Sequence, residues 1–180
     1  MTEALSLDVD DFRLFGMEPK FAVDLPALDA QWRRLQSEVH PDRFVQSDDA
    51  SAKWAMQWSM RINQGYRRLR DPVSRAAYLC ELRGASIDLQ GGASVPVDFL
   101  MQQMEWREAL SQARTAQDVE SLEADVKSAV ARWGEQLVQQ LDHHPDPGAG
   151  AREAVQTVQR LMFLTKFQQD IDRKMDALQS

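Results

Sequence analysis

Apolar residues recur at three- and four-residue steps along most of this chain, and the steps break where proline, glycine or aspartate cluster. Leu28, Trp32, Leu35 and Val39 fall on one face of a helical segment, with Arg33 and Arg34 off that face. Beyond a polar stretch, Ala55, Ser59, Ile62, Tyr66 and Leu69 repeat with the same period and predict a returning helix. Between the two lies His40-Pro41-Asp42-Arg43-Phe44. The missing N–H and fixed φ of Pro41 end the first helix and force a turn. Asp42 can accept hydrogen bonds from backbone N–H groups of that turn, which leaves His40 and Arg43 as outward donors. The pattern predicts a helical hairpin with a charged tip.

The tripeptide recurs as His144-Pro145-Asp146, inside the run His143-His144-Pro145-Asp146-Pro147-Gly148-Ala149-Gly150. With so many breakers, this copy predicts an ordinary loop between helices, and the last helix is expected to begin after Gly150.

A boundary follows residue 83. Residues 84–96 are short of charge and rich in Gly and Ser, as a joining segment should be, and they divide residues 1–83 from 97–180. The second part reads as three helices without a strand signal, and long helices with short connections predict a three-helix bundle. In the middle helix Thr115 precedes Asp118 as a capping-box-like start, and Val119, Leu122, Val126, Val130, Trp133, Leu137 and Leu141 form one stripe. The last helix carries Val155, Val158, Leu161, Met162, Leu164, Ile171, Met175 and Leu178.

The helix opening this part has more apolar surface than a bundle requires. At roughly 100° per residue, Phe99, Trp106, Leu110 and Ala113 share one side. Leu100, Met101 and Met104, with Val97, share the side roughly opposite, flanked by Glu105 and Glu108. One face suffices for a core; the second, Met-rich and rimmed by carboxylates, has the composition of a partner-binding patch. Packing of that stripe against the first domain or the joining segment is the competing expectation.

Composition narrows the functional classes. The 180 residues, 43% hydrophobic and 27% charged, can bury one or two modest cores, and eight glycines and seven prolines are too few for disorder. A net charge of −7 argues against nonspecific nucleic-acid binding. No run reaches the ~18 apolar residues of a membrane span. The acidic start, with Glu3, Asp8, Asp10 and Asp11 ahead of the first arginine, has the wrong composition for a secretory signal or a mitochondrial presequence, so a cytoplasmic protein is expected. Cys80 is the only cysteine, which excludes an internal disulfide and a Cys-x-x-Cys metal site; it lies among Tyr78, Leu79 and Leu82 as a small buried hydrophobe. Three histidines in two breaker-rich segments lack helical ligand spacing or a nucleophile–base pair, so neither an enzyme nor a cofactor is expected.

The hairpin with His-Pro-Asp at its tip resembles a J-domain, the module that stimulates ATP hydrolysis by heat-shock-70-type chaperones. Its flanks resemble that fold too: Asp11-Phe12-Arg13-Leu14-Phe15-Gly16-Met17 is similar to the short opening helix, and Asp71-Pro72 followed by Arg75-Ala76-Ala77-Tyr78 to the break before the last helix. Val39 stands where that family usually has tyrosine, which keeps an apolar side chain but would lose a tyrosine contact to the partner. In the second part, residues 98–110 and 158–167 resemble the C-terminal domain of HscB-type J-domain co-chaperones of iron-sulfur cluster assembly. Gln102 and Trp106 depart from the commoner residues there.

The resemblance implies an all-α protein, a J-domain hairpin followed by a three-helix bundle, acting as a monomeric adaptor. Chaperone binding would fall to Arg33, Arg34, His40, Pro41, Asp42 and Arg43, and the partner would be an HscA-like ATPase. Binding of an IscU-like cluster scaffold would fall to Leu100, Met101, Met104, Glu105, Glu108 and Phe163. A J-domain co-chaperone with a different client is the alternative.

Overall fold

The structure, a computed structural model, describes residues 8–39, 49–87 and 96–179. Among these, seven helices and no strand occur: α1 (Asp11–Leu14), α2 (Leu25–Val39), α3 (Asp49–Arg70), α4 (Pro72–Leu82), α5 (Val97–Gln112), α6 (Ala116–Asp142) and α7 (Pro147–Gln179). The chain divides into two compact units, Met1–Leu79 and Cys80–Ser180.

In the first unit α2 and α3 pair as a hairpin. The Tyr66 hydroxyl donates to Asp29 (2.7 Å), Trp32 Nε1 to Asn63 Oδ1 (3.1 Å) and the Ser59 hydroxyl to Gln36 (3.3 Å). Partners rise on one helix as they fall on the other, so the two run antiparallel. Trp32 also stacks on Tyr66 at 4.8 Å between ring centroids. Leu28, Leu35 and Val39 are buried from α2, and Ala55, Trp58, Ile62 and Leu69 from α3. Ser59 and Tyr66 share the spacing of Ala55, Ile62 and Leu69. Both are half-buried and belong to the polar seam, while Trp58, off that spacing, is buried.

The fully buried carboxylate of Asp11 fixes α1, receiving the guanidinium of Arg68 at 3.0 Å and that of Arg61 on its other oxygen. Burial makes a lone carboxylate costly, so two guanidiniums around one acid are what lets it lie inside. Gly65 makes room: a Cβ there would stand 3.1 Å from both Arg61 Nη1 and Asp11 Oδ1. Asp71 ends α3 and starts α4, its Oδ1 accepting from Ser74 N–H at 2.7 Å ahead of Pro72 at the first helical position. Buried Arg75 then donates through Nε to the Phe21 carbonyl (2.8 Å) and through Nη1 to that of Leu69, and the Tyr78 hydroxyl receives the Asp11 N–H at 3.0 Å. Each large residue of Arg75-Ala76-Ala77-Tyr78 therefore ties α4 to a different neighbour, and Ala76 is fully buried between them.

In the second unit α6 and α7 form a long antiparallel pair, joined by Thr157 Oγ1 donating to Gln140 (3.0 Å) and Gln168 Nε2 to Glu123 (3.2 Å). The start of α6 is a complete capping box: Asp118 N–H donates to Thr115 Oγ1, and Thr115 N–H to Asp118 Oδ2. The Arg114 N–H, which donates to the same oxygen at 3.0 Å, together with the hydroxyl and N–H of Thr115, holds the Asp118 carboxyl below the ordinary carboxylate value. The α5 helix packs across the pair through Phe99 and Trp106, with Phe99 edge-on to Trp133 at 5.4 Å and Trp106 stacked on Phe167 at 6.4 Å.

Two expectations fail here. The last helix begins at Pro147, ahead of Gly150: Asp146 Oδ1 accepts from Gly148 N–H (2.9 Å) and Ala149 N–H (3.1 Å), and Pro147 occupies the first helical position, where it costs no hydrogen bond. Val130 is 42% exposed although it sits in mid-stripe, whereas Ala129 is buried. With α5 packed over the Trp133 side of α6, the buried sector shifts toward Ala129. Val130 is left at the mouth of a groove with Val126, Leu164 and Thr165.

Candidate functional sites

The two faces marked by the sequence lie on α2 and on α5. On α2, Arg33 and Arg34 are both exposed on the side away from Leu28, Leu35 and Val39. They are not equivalent. Arg34 donates to Glu38 (3.1 Å) and Gln31 (3.0 Å) on its own helix, whereas Arg33 has no ion pair among the described residues. Val39, in the position of the family's tyrosine, is 1% exposed and closes the core beneath the end of α2. His40, Pro41, Asp42 and Arg43 lie outside the described residues.

The α5 helix carries two apolar faces with opposite fates. Phe99, Trp106 and Ala113 are buried, while Leu100, Met101 and Met104 stand 49%, 58% and 63% exposed beside an exposed Val97. Glu105 and Glu108 are exposed on the flank of that stripe. Trp106, one of the departures from the family pattern, belongs to the core, where its large ring meets Trp133, Phe163 and Phe167; Gln102 donates to Glu105 at 3.2 Å.

Phe163 on α7 bridges the two faces. It is half-buried, edge-on to Phe99 at 5.6 Å and stacked on Phe167 at 5.7 Å, and the Arg107 guanidinium lies 5.4 Å over its ring. It thus contributes one edge to the surface and the rest to packing. The six residues Leu100, Met101, Met104, Glu105, Glu108 and Phe163 all come from α5 and α7 of one unit.

The second His-Pro-Asp is a helix cap in its geometry. His144 Nδ1 accepts from Asp146 N–H at 3.1 Å, and its Nε2 lies 3.7 Å from Glu153. The backbone donors of Ala149 and Gly148 hold the Asp146 carboxyl below the ordinary carboxylate value. Cys80 is fully buried, and burial pushes its thiol up to about 11. Among the described residues no group of His, Cys, Asp and Glu is placed to hold a metal ion, and no helix is long and apolar enough to cross a membrane.

A hairpin unit with a short opening helix, followed by a helical bundle that carries an exposed apolar stripe, defines a J-domain protein with an appended helical domain. Residues 95–172 match the family model described as the HSCB C-terminal oligomerisation domain. The protein of an Azoarcus strain called co-chaperone protein HscB homolog is 41% identical, over 98% of this chain and 99% of that one. Its counterpart in Burkholderia cenocepacia is 39% identical over the same shares. Among solved structures, chaperone HscB from Vibrio cholerae superimposes with a TM-score of 0.82 at 29% identity, covering 94% of this chain and 99% of that one. The human co-chaperone protein HscB shares the fold, with a TM-score of 0.88 at 24% identity over 95% and 84% of the two chains. The chain belongs to the HscB co-chaperone family.

Proposed function

We propose that this chain is a cytoplasmic adaptor that stimulates the ATPase of a specialised, HscA-like heat-shock-70-type chaperone and delivers an IscU-like iron-sulfur scaffold to it. It performs no covalent chemistry of its own. The observation that carries the delivery half is the division of α5: one apolar face closes the bundle, and the other remains exposed with flexible methionines, where burial against a partner gains about 25 cal/mol per Å². Leu100, Met101, Met104 and the outer edge of Phe163 are its apolar anchors, and Glu105 and Glu108 its polar rim.

The stimulating half rests on the His40-Pro41-Asp42 motif and on Arg33, an exposed cation without an ion pair among the described residues, which would steer an acidic ATPase surface into register. His40 and Asp42 would bias the chaperone toward its hydrolysis-competent state through contacts preferred in that state. Holding both partners raises the scaffold's effective concentration at the chaperone.

ATPase assays of an HscA-like chaperone with His40→Gln and Asp42→Asn variants test this reading. Both should lose stimulation while keeping scaffold binding and melting temperature. Undiminished stimulation by both would overturn the assignment of the motif.

A further inference from the structure

The exposed stripe of α5 does not end at Met104. Leu100, Met104, Arg107 and Ser111 follow one another at steps of four, three and four residues, which on a helix places them along a single line. Arg107 lies over Phe163, so that line passes from the apolar patch onto the seam between α5 and α7. There it opens into a cleft of about 540 Å³, with Leu110, Phe167 and Ala177 as apolar lining and Arg107, Arg173, Lys174 and Asp170 as its charged groups. Three cations meet a single carboxylate, in a chain whose net charge is −7.

The carboxylate is already engaged: Asp170 pairs with Arg173, whose Nε also donates to the Gln169 carbonyl at 3.3 Å. Arg107 and Lys174 have no ion pair among the described residues, and Lys174 is half-buried. A lysine can lay its stem along apolar surface while its ammonium stays in water, so these two cations without a counter-ion among the described residues are free to meet an anionic group of a partner. The opposite flank of the stripe carries Glu105 and Glu108, so the whole surface is acidic along one edge, apolar in the middle and basic along the other.

We propose that the cleft between α5 and α7 is an extension of the scaffold-binding surface, which receives an acidic side chain of the scaffold next to the apolar contact. This rests on the reading of the α5 stripe as the scaffold site. Lys174 and Arg107 supply the charge, and Leu110 and Ala177 the wall against which the stem of the incoming Asp or Glu packs. The bipolar edges fix the direction in which the partner lies along α5, because reversing it would set like charges against each other on both sides.

Calorimetric titration of the cluster-free scaffold into the wild type and into Lys174→Glu, Lys174→Gln and Leu100→Ser variants tests this, with melting temperatures recorded for each. Lys174→Glu should weaken binding about tenfold or more and Lys174→Gln less. The gap between these two variants should shrink as added salt brings the Debye length from about 10 Å to about 3 Å. Leu100→Ser should weaken binding at every salt concentration. If both Lys174 variants bind like the wild type while Leu100→Ser is impaired, the cleft is not part of the interface and the inference falls alone. Equal, salt-independent losses in the two Lys174 variants would also overturn it, since charge would then play no role. Wild-type binding by Leu100→Ser would instead overturn the scaffold site on which the inference rests. Arg107→Glu provides a second variant on the other wall, should Lys174→Glu lower the melting temperature.

Discussion

A Cβ placed on Gly150 would fall 2.1 Å from the carbonyl oxygen of Gln140 and 2.7 Å from His144 Cβ, so the start of α7 crosses the end of α6 at a distance only glycine permits. Gly150→Ala should therefore destabilise the second unit by about 1–3 kcal/mol, through overpacking against backbone that cannot turn away. Gly134, inside α6, has nothing within 4 Å of such a Cβ, and Gly134→Ala should stabilise by about 0.5–1 kcal/mol through helix propensity alone. Thermal unfolding of the two variants should move in opposite directions.

The α5 stripe separates binding from folding. Leu100→Ser and Met104→Ser remove side chains that are about half exposed or more, so each should cost about 1–3 kcal/mol of scaffold binding and little fold stability. Phe163→Ser should cost both, because its ring packs on Phe99 and Phe167. Titration and melting of the same three proteins check this; a large loss of stability in Leu100→Ser would mark the stripe as interior.

Arg33 and Arg34 are expected to differ despite being neighbours. Arg34 is held by Glu38 and Gln31, whereas Arg33 is uncommitted among the described residues. Arg33→Ala should slow association with the ATPase severalfold more than Arg34→Ala does, and the difference should vanish in high salt. Stopped-flow association rates at two ionic strengths provide the measurement.

Asp146 gives a pH-dependent prediction. Its folded value lies below the ordinary 3.8 because Ala149 and Gly148 donate to the charged form. The contribution is therefore present above about that value, and it is lost as pH falls from there through the folded value. Asp146→Ala should melt lower than the wild type at neutral pH and converge with it in strong acid. His144→Ala should leave chaperone stimulation intact, since this copy of the tripeptide caps α7. An ATPase assay of that variant settles the point.

Much of this architecture is local chemistry that a sequence displays. Asp71-Pro72 breaks and restarts a helix, Thr115 and Asp118 cap one, and the two faces of α5 differ because Phe99 and Trp106 fall at core spacing while Leu100 and Met104 do not. What was hidden depends on distant partners. Gly148-Ala149-Gly150 reads as a loop until the approach of Gln140 explains the glycine, and Asp146 with Pro147 is as good a helix start as a turn. Val130 has the right period but lies where α5 does not reach. The buried acid Asp11 gives no sign of its two arginines, and the cleft charges Arg107 and Lys174 come from helices far apart along the chain.

The seam between α2 and α3 bears on uniqueness more than on strength. Leu28, Trp32, Leu35 and Val39 repeat so regularly that sliding α2 by one helical turn would still lay apolar side chains against α3. Asp29 to Tyr66, Trp32 to Asn63 and Gln36 to Ser59 forbid the slip, since each donor would then face the wrong acceptor or none. Grease holds the helices together in any of several alignments, and these three polar rungs act as an address that only one alignment satisfies. The end of α2 at Val39 and the paired face of α3 are thereby held in one register, and Arg33 keeps one position relative to both, a frame that a partner docking on it can rely on.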